Sequence, residues 1–78
     1  MIDYGDYLVH IGNNIRFIRE KNGYSQKELA EKVRCRPASI SDYENGKENI
    51  TIAYMIRISN ALRVNPAELL SRSTGGKS

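Results

Sequence analysis

Residues 25–45 read SQKELAEKVRCRPASISDYEN, and the punctuation of this stretch decides the fold. Ser25 and Glu28 stand at capping-box spacing, in which the hydroxyl accepts the N3 amide and the glutamate reaches back to the cap amide. A helix therefore starts at Gln26, with Leu29, Ala30 and Val33 on one apolar face. Pro37 suits the first position of a second helix, because it has no N–H to leave unpaired and its φ is already set. That helix runs to about Asn45, with Gly46 as a left-handed stop. The stretch is two short helices joined by a tight corner.

On the second helix, at about 100° per residue, Ile40 and Tyr43 point one way, with Glu44 at the edge of their face. Ala38, Asp42 and Asn45 point the other way, flanked by Ser39 and Ser41. A solvated face usually carries Lys and Glu. Short donors and acceptors suit a surface that must approach something closely, such as base edges in a groove. Short side chains also make plain surface, and spacing alone leaves both readings open.

The stretch resembles the helix-turn-helix of the phage repressor and Cro proteins, the XRE-type family. Gln26 opens the first helix, Ala30 takes the close-packing position, Ile40 and Tyr43 point inward, and Tyr43-Glu44-Asn45-Gly46-Lys47 forms the exit. The resemblance continues through Ile11-Gly12, Ile15-Arg16, Ile18-Arg19 and Asn22-Gly23 upstream, and through Asn49-Ile50-Thr51-Ile52, Ala61-Leu62 and Val64 downstream. It covers roughly residues 11 to 70 and implies an all-α, compact five-helix, lambda-repressor-like domain. It also implies that Arg19 pairs with Glu44, locking the first helix to the recognition helix. Pro37, Ala38 and Asp42 then face the bases of double-stranded DNA, with Ser39 and Ser41 beside them.

The corner departs from the family. Arg34 stands where glycine is usual, although the turn needs a left-handed residue. Cys35 reads as small buried filler rather than a reactive thiol. Arg36 sits at the N-cap but has no oxygen to cap with. It either reaches a phosphate or guanine edge or is exposed without a fixed partner. Gln26, at a helix N-terminus, is placed for a phosphate, and Asn45, Lys47 and Asn49 are placed to grip the DNA backbone.

Outward from the motif, residues 1–6 read as an irregular arm, with Asp6 capping a helix that starts at Tyr7. Leu8, Ile11, Ile15 and Ile18 form its inward stripe, and Asn22-Gly23 ends it. Gly12 suits close approach of a neighbouring helix. Phe17 falls off the stripe; it is expected to pack under the arm, the alternative being an exposed apolar contact. Thr51 caps a fourth helix presenting Ile52, Met55, Ile58 and Leu62 inward. Tyr54 and Ile56 flank that stripe, as core margin or as dimer contacts. Asn65 and Pro66 open a short last helix carrying Leu69 and Leu70, of which one is free to meet a second subunit. The domain spans residues 7–71, and residues 72–78, RSTGGKS, read as a flexible polar tail.

Composition sets the remaining expectations. Seventy-eight residues with one Cys allow one domain, no internal disulfide and no cysteine-based zinc cluster. Net charge is +3, yet residues 25–49 balance five Lys/Arg against five Asp/Glu. No apolar run reaches the length of a membrane span and no leader pattern opens the chain, so a cytoplasmic protein is expected. His10 reads as a surface residue, and no nucleophile–base pair or metal cluster stands out. Neither an enzyme, a cofactor nor a small-molecule ligand is expected. Direct base readout is thin, because Pro37 offers no hydrogen bond and Ala38 only a methyl. Useful specificity then needs a homodimer on half-sites about one helical turn apart. The sequence-level conclusion is a DNA-binding transcriptional regulator, most simply a repressor. The rival is a protein–protein adaptor or antitoxin-like partner on the same fold.

Overall fold

Three of the helices in the described residues begin at a side chain that caps their first turn. The computed structural model describes residues 4–71 and places five helices there: α1 (Tyr4–Lys21), α2 (Gln26–Val33), α3 (Pro37–Glu44), α4 (Ile52–Leu62) and α5 (Pro66–Leu70). Residues 1–3 of the expected arm and the expected tail lie outside the described residues. Ser25 accepts the Glu28 amide at 3.0 Å while the Glu28 carboxylate accepts the Ser25 amide at 2.8 Å. Thr51 caps α4 through the Tyr54 amide, and Asn65 with Glu68 makes a second reciprocal box at α5.

The C-terminal ends of α1 to α4 share one closure. After α1, Gly23 at φ +77° lets the Tyr24 amide bond the Arg19 carbonyl and the Gly23 amide bond the Glu20 carbonyl. After α3, Gly46 at φ +70° does the same, with the Lys47 amide on the Asp42 carbonyl at 2.9 Å. After α2 and α4, arginines make the left-handed turn, Arg34 at φ 67° and Arg63 at φ 61°. An L side chain there is strained by roughly 1 kcal/mol relative to glycine. The turn after α2 thus keeps the glycine geometry despite its arginine.

The core is one cluster to which every helix contributes, including the fully buried Ile15, Leu29, Ile40, Ile58 and Leu69. Alpha1 supplies Ile11, Ile15 and Ile18 at helical spacing, and Leu8 is half-buried at its margin. Two helix–helix contacts need special residues. At Gly12, a Cβ would collide with the carbonyl oxygens of Tyr43 and Glu44 and lie 2.8 Å from the Glu44 carbonyl carbon, so only glycine lets α1 meet the end of α3. At Asn14, which is buried, the side-chain amide donates to the carbonyls of Leu69 at 2.8 Å and Ser71 at 2.6 Å. That pair of bonds satisfies the end of α5, a helix too short to stand alone.

Several expectations are corrected. The first helix starts at Tyr4, not Tyr7, so residues 4–6 are helical rather than an irregular arm. Asp6 lies inside the first turn, where its charge complements the helix dipole instead of capping it. With Tyr4 already on the helix, about 20 Å of helical rise separates it from Phe17, and no described arm covers that ring. Phe17 is 42% exposed, with Lys21 Nζ 5.7 Å from its ring centre. Ile52 is 74% exposed rather than inward, because it is the first residue of α4 and projects past the rim of the core. Cys35 is half-buried and packed against the core, and burial pushes its thiol pKa up, opposed by the charge of Arg57.

Candidate nucleic-acid interface

Glu44 organises the candidate surface. It is the last residue of α3, 2% exposed, and an isolated carboxylate there would be costly to bury. Arg19 meets it with a two-pronged contact, Nε to Oε2 at 2.5 Å and Nη2 to Oε1 at 3.1 Å. The same guanidinium donates to the Tyr24 carbonyl at 2.7 Å. This hydrogen-bonded partnership with Glu44, more than the opposing burial, raises the Arg19 pKa. Gln26 Nε2 donates to Glu44 Oε1 at 3.0 Å, and Arg16 Nε lies 3.6 Å from the same oxygen. One buried carboxylate therefore ties together α1, the start of α2 and the end of α3.

The pinning fixes which side of α3 faces out. Ile40, Tyr43 and Glu44 are buried, whereas Pro37 and Ala38 are exposed and Ser39, Ser41 and Asp42 are half-exposed. Arg36 is exposed at the N-cap and makes no side-chain cap hydrogen bond, so its guanidinium is not committed to holding the helix. Asn45, Lys47 and Asn49 are exposed in the loop that leaves α3. The structure therefore brings the six residues read as base-facing and three of the four read as backbone-gripping onto one open surface.

Gln26 is the exception. Its side-chain amide is half-buried and donates to Glu44, so Gln26 also takes part in the internal network. The backbone amides of the first turn of α2 still point off the helix end. Arg16 is a residue whose part the sequence reading undervalued. Its Nη2 donates to Asn45 Oδ1 at 3.2 Å, and Asn45 Nδ2 reaches Ser41 Oγ at 3.4 Å. The signal was its spacing, since Arg16 and Arg19 are three apart and share one face of α1.

The residues read as possible dimer contacts separate. Leu69 is fully buried and cannot meet a second subunit, because α5 turns it into the core. Leu70 and Ile56 are 43% and 44% exposed. Tyr54 is half-buried, its ring 5.9 Å from that of Tyr43 and 4.8 Å from the Arg57 guanidinium, so it belongs to the core margin.

The electrostatics of the motif are less neutral outward than by count. Of its five acids, Glu44 is inside and paired and Glu28 is held in the capping box, while Asp42 stays on the outer face. Among the described residues no group of His, Cys, Asp and Glu is arranged to hold a metal ion, and no helix is long and apolar enough to cross a membrane.

Comparison with known proteins places this geometry. A helix-turn-helix family model matches residues 15–69. The antitoxin HipB of Escherichia coli strain K12 is 33% identical over 55 residues, 70% of this chain and 62% of that protein. The chain thus spans about three fifths of the length of the HipB antitoxins it matches. The control protein C.BamHI of Bacillus amyloliquefaciens is 38% identical over 66 residues, covering 83% of this chain and 82% of its own. Among solved structures, the restriction-modification controller protein C.AhdI from Aeromonas hydrophila superposes with a TM-score of 0.78 at 29% identity, over 80% of this chain and 94% of that one.

Proposed function

The chain belongs to the helix-turn-helix family of DNA-binding transcriptional regulators, and from that premise we propose that it is a cytoplasmic repressor that reads double-stranded DNA as a homodimer. The observation carrying this reading is the open face of α3, small, polar and held outward by the buried Glu44. Pro37, Ala38 and Asp42 lie toward the bases, with Arg36, Ser39 and Ser41 at their edges. Ala38 suits a thymine methyl and Asp42 a cytosine amine. Arg16, Asn45, Lys47 and Asn49 meet phosphates, which sets register and salt dependence rather than sequence choice. With so few direct readers, DNA shape carries part of the specificity.

Selection from a random-site pool tests the reading. A single enriched, two-fold-related site with a steep loss of affinity on adding salt is expected. No enriched site, with affinity indifferent to salt, defeats it. Arg36→Ala is expected to weaken binding to the selected site by about 1–3 kcal/mol. Its melting temperature should stay put, because Arg36 makes no capping bond. A fall in melting temperature would instead make Arg36 structural.

The dimer forms through the α4–α5 surface in this reading. Ile56 and Leu70 are exposed there, and Leu70 also lines an apolar hollow of about 430 Å³ with Tyr7, Leu8, Ile11, Ile50 and Met55. Ile56→Lys should shift the sedimentation coefficient toward the monomer, since a desolvated ammonium in an apolar contact is costly. An unchanged mass moves the interface elsewhere.

The second reading is an antitoxin-like adaptor, favoured by the similarity to HipB and by the thin set of base readers. It predicts a protein partner covering α3 and an empty outcome in the random-site selection.

A further inference from the structure

The two non-glycine residues in left-handed conformation, Arg34 and Arg63, sit at the ends of different helices yet line the same hollow. The hollow, of about 470 Å³, lies between α2 and α4 and also takes Lys32, Arg57, Tyr24 and Ala61 into its wall. Glycine is the unstrained residue at both closures, and arginine stands at both. Backbone strain of this kind tends to cluster at functional sites.

The electrostatics point the same way. Four cations line the hollow and no carboxylate does, although Glu28 and Glu31 line a neighbouring hollow that shares Tyr24 and Lys32. Among the described residues, neither the Arg34 nor the Arg63 side chain makes a hydrogen bond or ion pair; only their backbone amides are engaged, in closing α2 and α4. Arg57 is held in place by its bond to the Val33 carbonyl at 2.6 Å and by the Tyr54 ring, and Lys32 Nζ sits 5.0 Å from the Tyr24 ring centre. The C-termini of α2 and α4 contribute only about half an elementary negative charge each, so the hollow remains positive. No residue of α3 or of the 45–49 loop lines it.

We infer that this hollow docks an acidic segment of a partner protein on a surface distinct from the α3 face. Guanidinium forks match carboxylates two bonds at a time, and three of the four cations are arginines. Tyr24 and Ala61 between them offer a floor for one apolar side chain of the same segment. A duplex held along α3 leaves this surface open, because its lining comes from Tyr24, α2, α4 and their closing turns.

The test uses the full chain and a short fluorescein-labelled peptide of glutamates around one phenylalanine, read by anisotropy at physiological ionic strength. The double variant R34G/R63G removes both charges and gives each closure its unstrained residue, so its melting temperature should not fall. It is expected to weaken peptide binding at least about tenfold, as loss of charge-assisted contacts implies. Affinity for a random-sequence duplex and its salt dependence should be unchanged. The control K21A/K27A removes the same charge elsewhere on the surface and should bind the peptide as the parent does. Equal loss in the control would reduce the effect to diffuse attraction and overturn the proposal. Unchanged peptide binding in R34G/R63G also overturns it, as does a loss confined to the duplex, which would make the hollow a DNA-backbone contact.

Discussion

Replacing Glu44 by alanine is expected to lower the free energy of unfolding by about 3–5 kcal/mol, the size of effect seen when one partner of a buried ion pair is removed. The variant leaves Arg19, itself 8% exposed, without the acceptor for two of its hydrogen bonds, and leaves Gln26 without its own. A domain this small holds only about 5 kcal/mol in total, so the variant should be largely unfolded at room temperature. Urea denaturation followed by circular dichroism gives the number. The double variant R19M/E44L should recover most of the loss, since well-packed apolar residues can replace a buried pair at little cost. A single-variant loss below about 1 kcal/mol would mean that water reaches the pair and that it does not hold α3 in place.

Gly12→Ala is expected to act against the usual trend. In a helix interior this change ordinarily stabilises by about 1 kcal/mol. Here the added methyl meets the carbonyl groups of Tyr43 and Glu44, which are backbone and cannot swing aside. A destabilisation of about 1–3 kcal/mol is expected, as for overpacking elsewhere in a core. DNA binding should fall by more than the loss of folded protein explains, because α1 must push the end of α3 and with it Asn45 out of position. A denaturation midpoint at or above that of the parent would show that α1 can shift freely against α3.

The helix starts and the motif were legible in local chemistry. Ser25-x-x-Glu28, Thr51 and Asn65-Pro66 each act within one turn, so their geometry follows from neighbours in sequence. The apolar stripes of α1 and α2 were legible for the same reason, since spacing fixes a face before anything packs on it. The start of α1 was not, because Asp6 is equally favourable as a cap and within a first turn. The inward reading of Ile52 failed because a stripe says which side a residue is on and not where the core stops. Leu69 and Leu70 could not be ranked by pattern, and α5 settles them by turning Leu69 wholly inside.

The sequence by itself determined that there are helices at these places and that 37–45 presents a short polar face, because periodicity and capping are properties of adjacent residues. Only the tertiary structure decided that the Gln26 amide reaches Glu44, and that Arg16 reaches Asn45. It alone brought Arg34 and Arg63 to one hollow. Those contacts join residues 18 to 29 positions apart, and whether they form depends on how helices stack, which no local rule specifies.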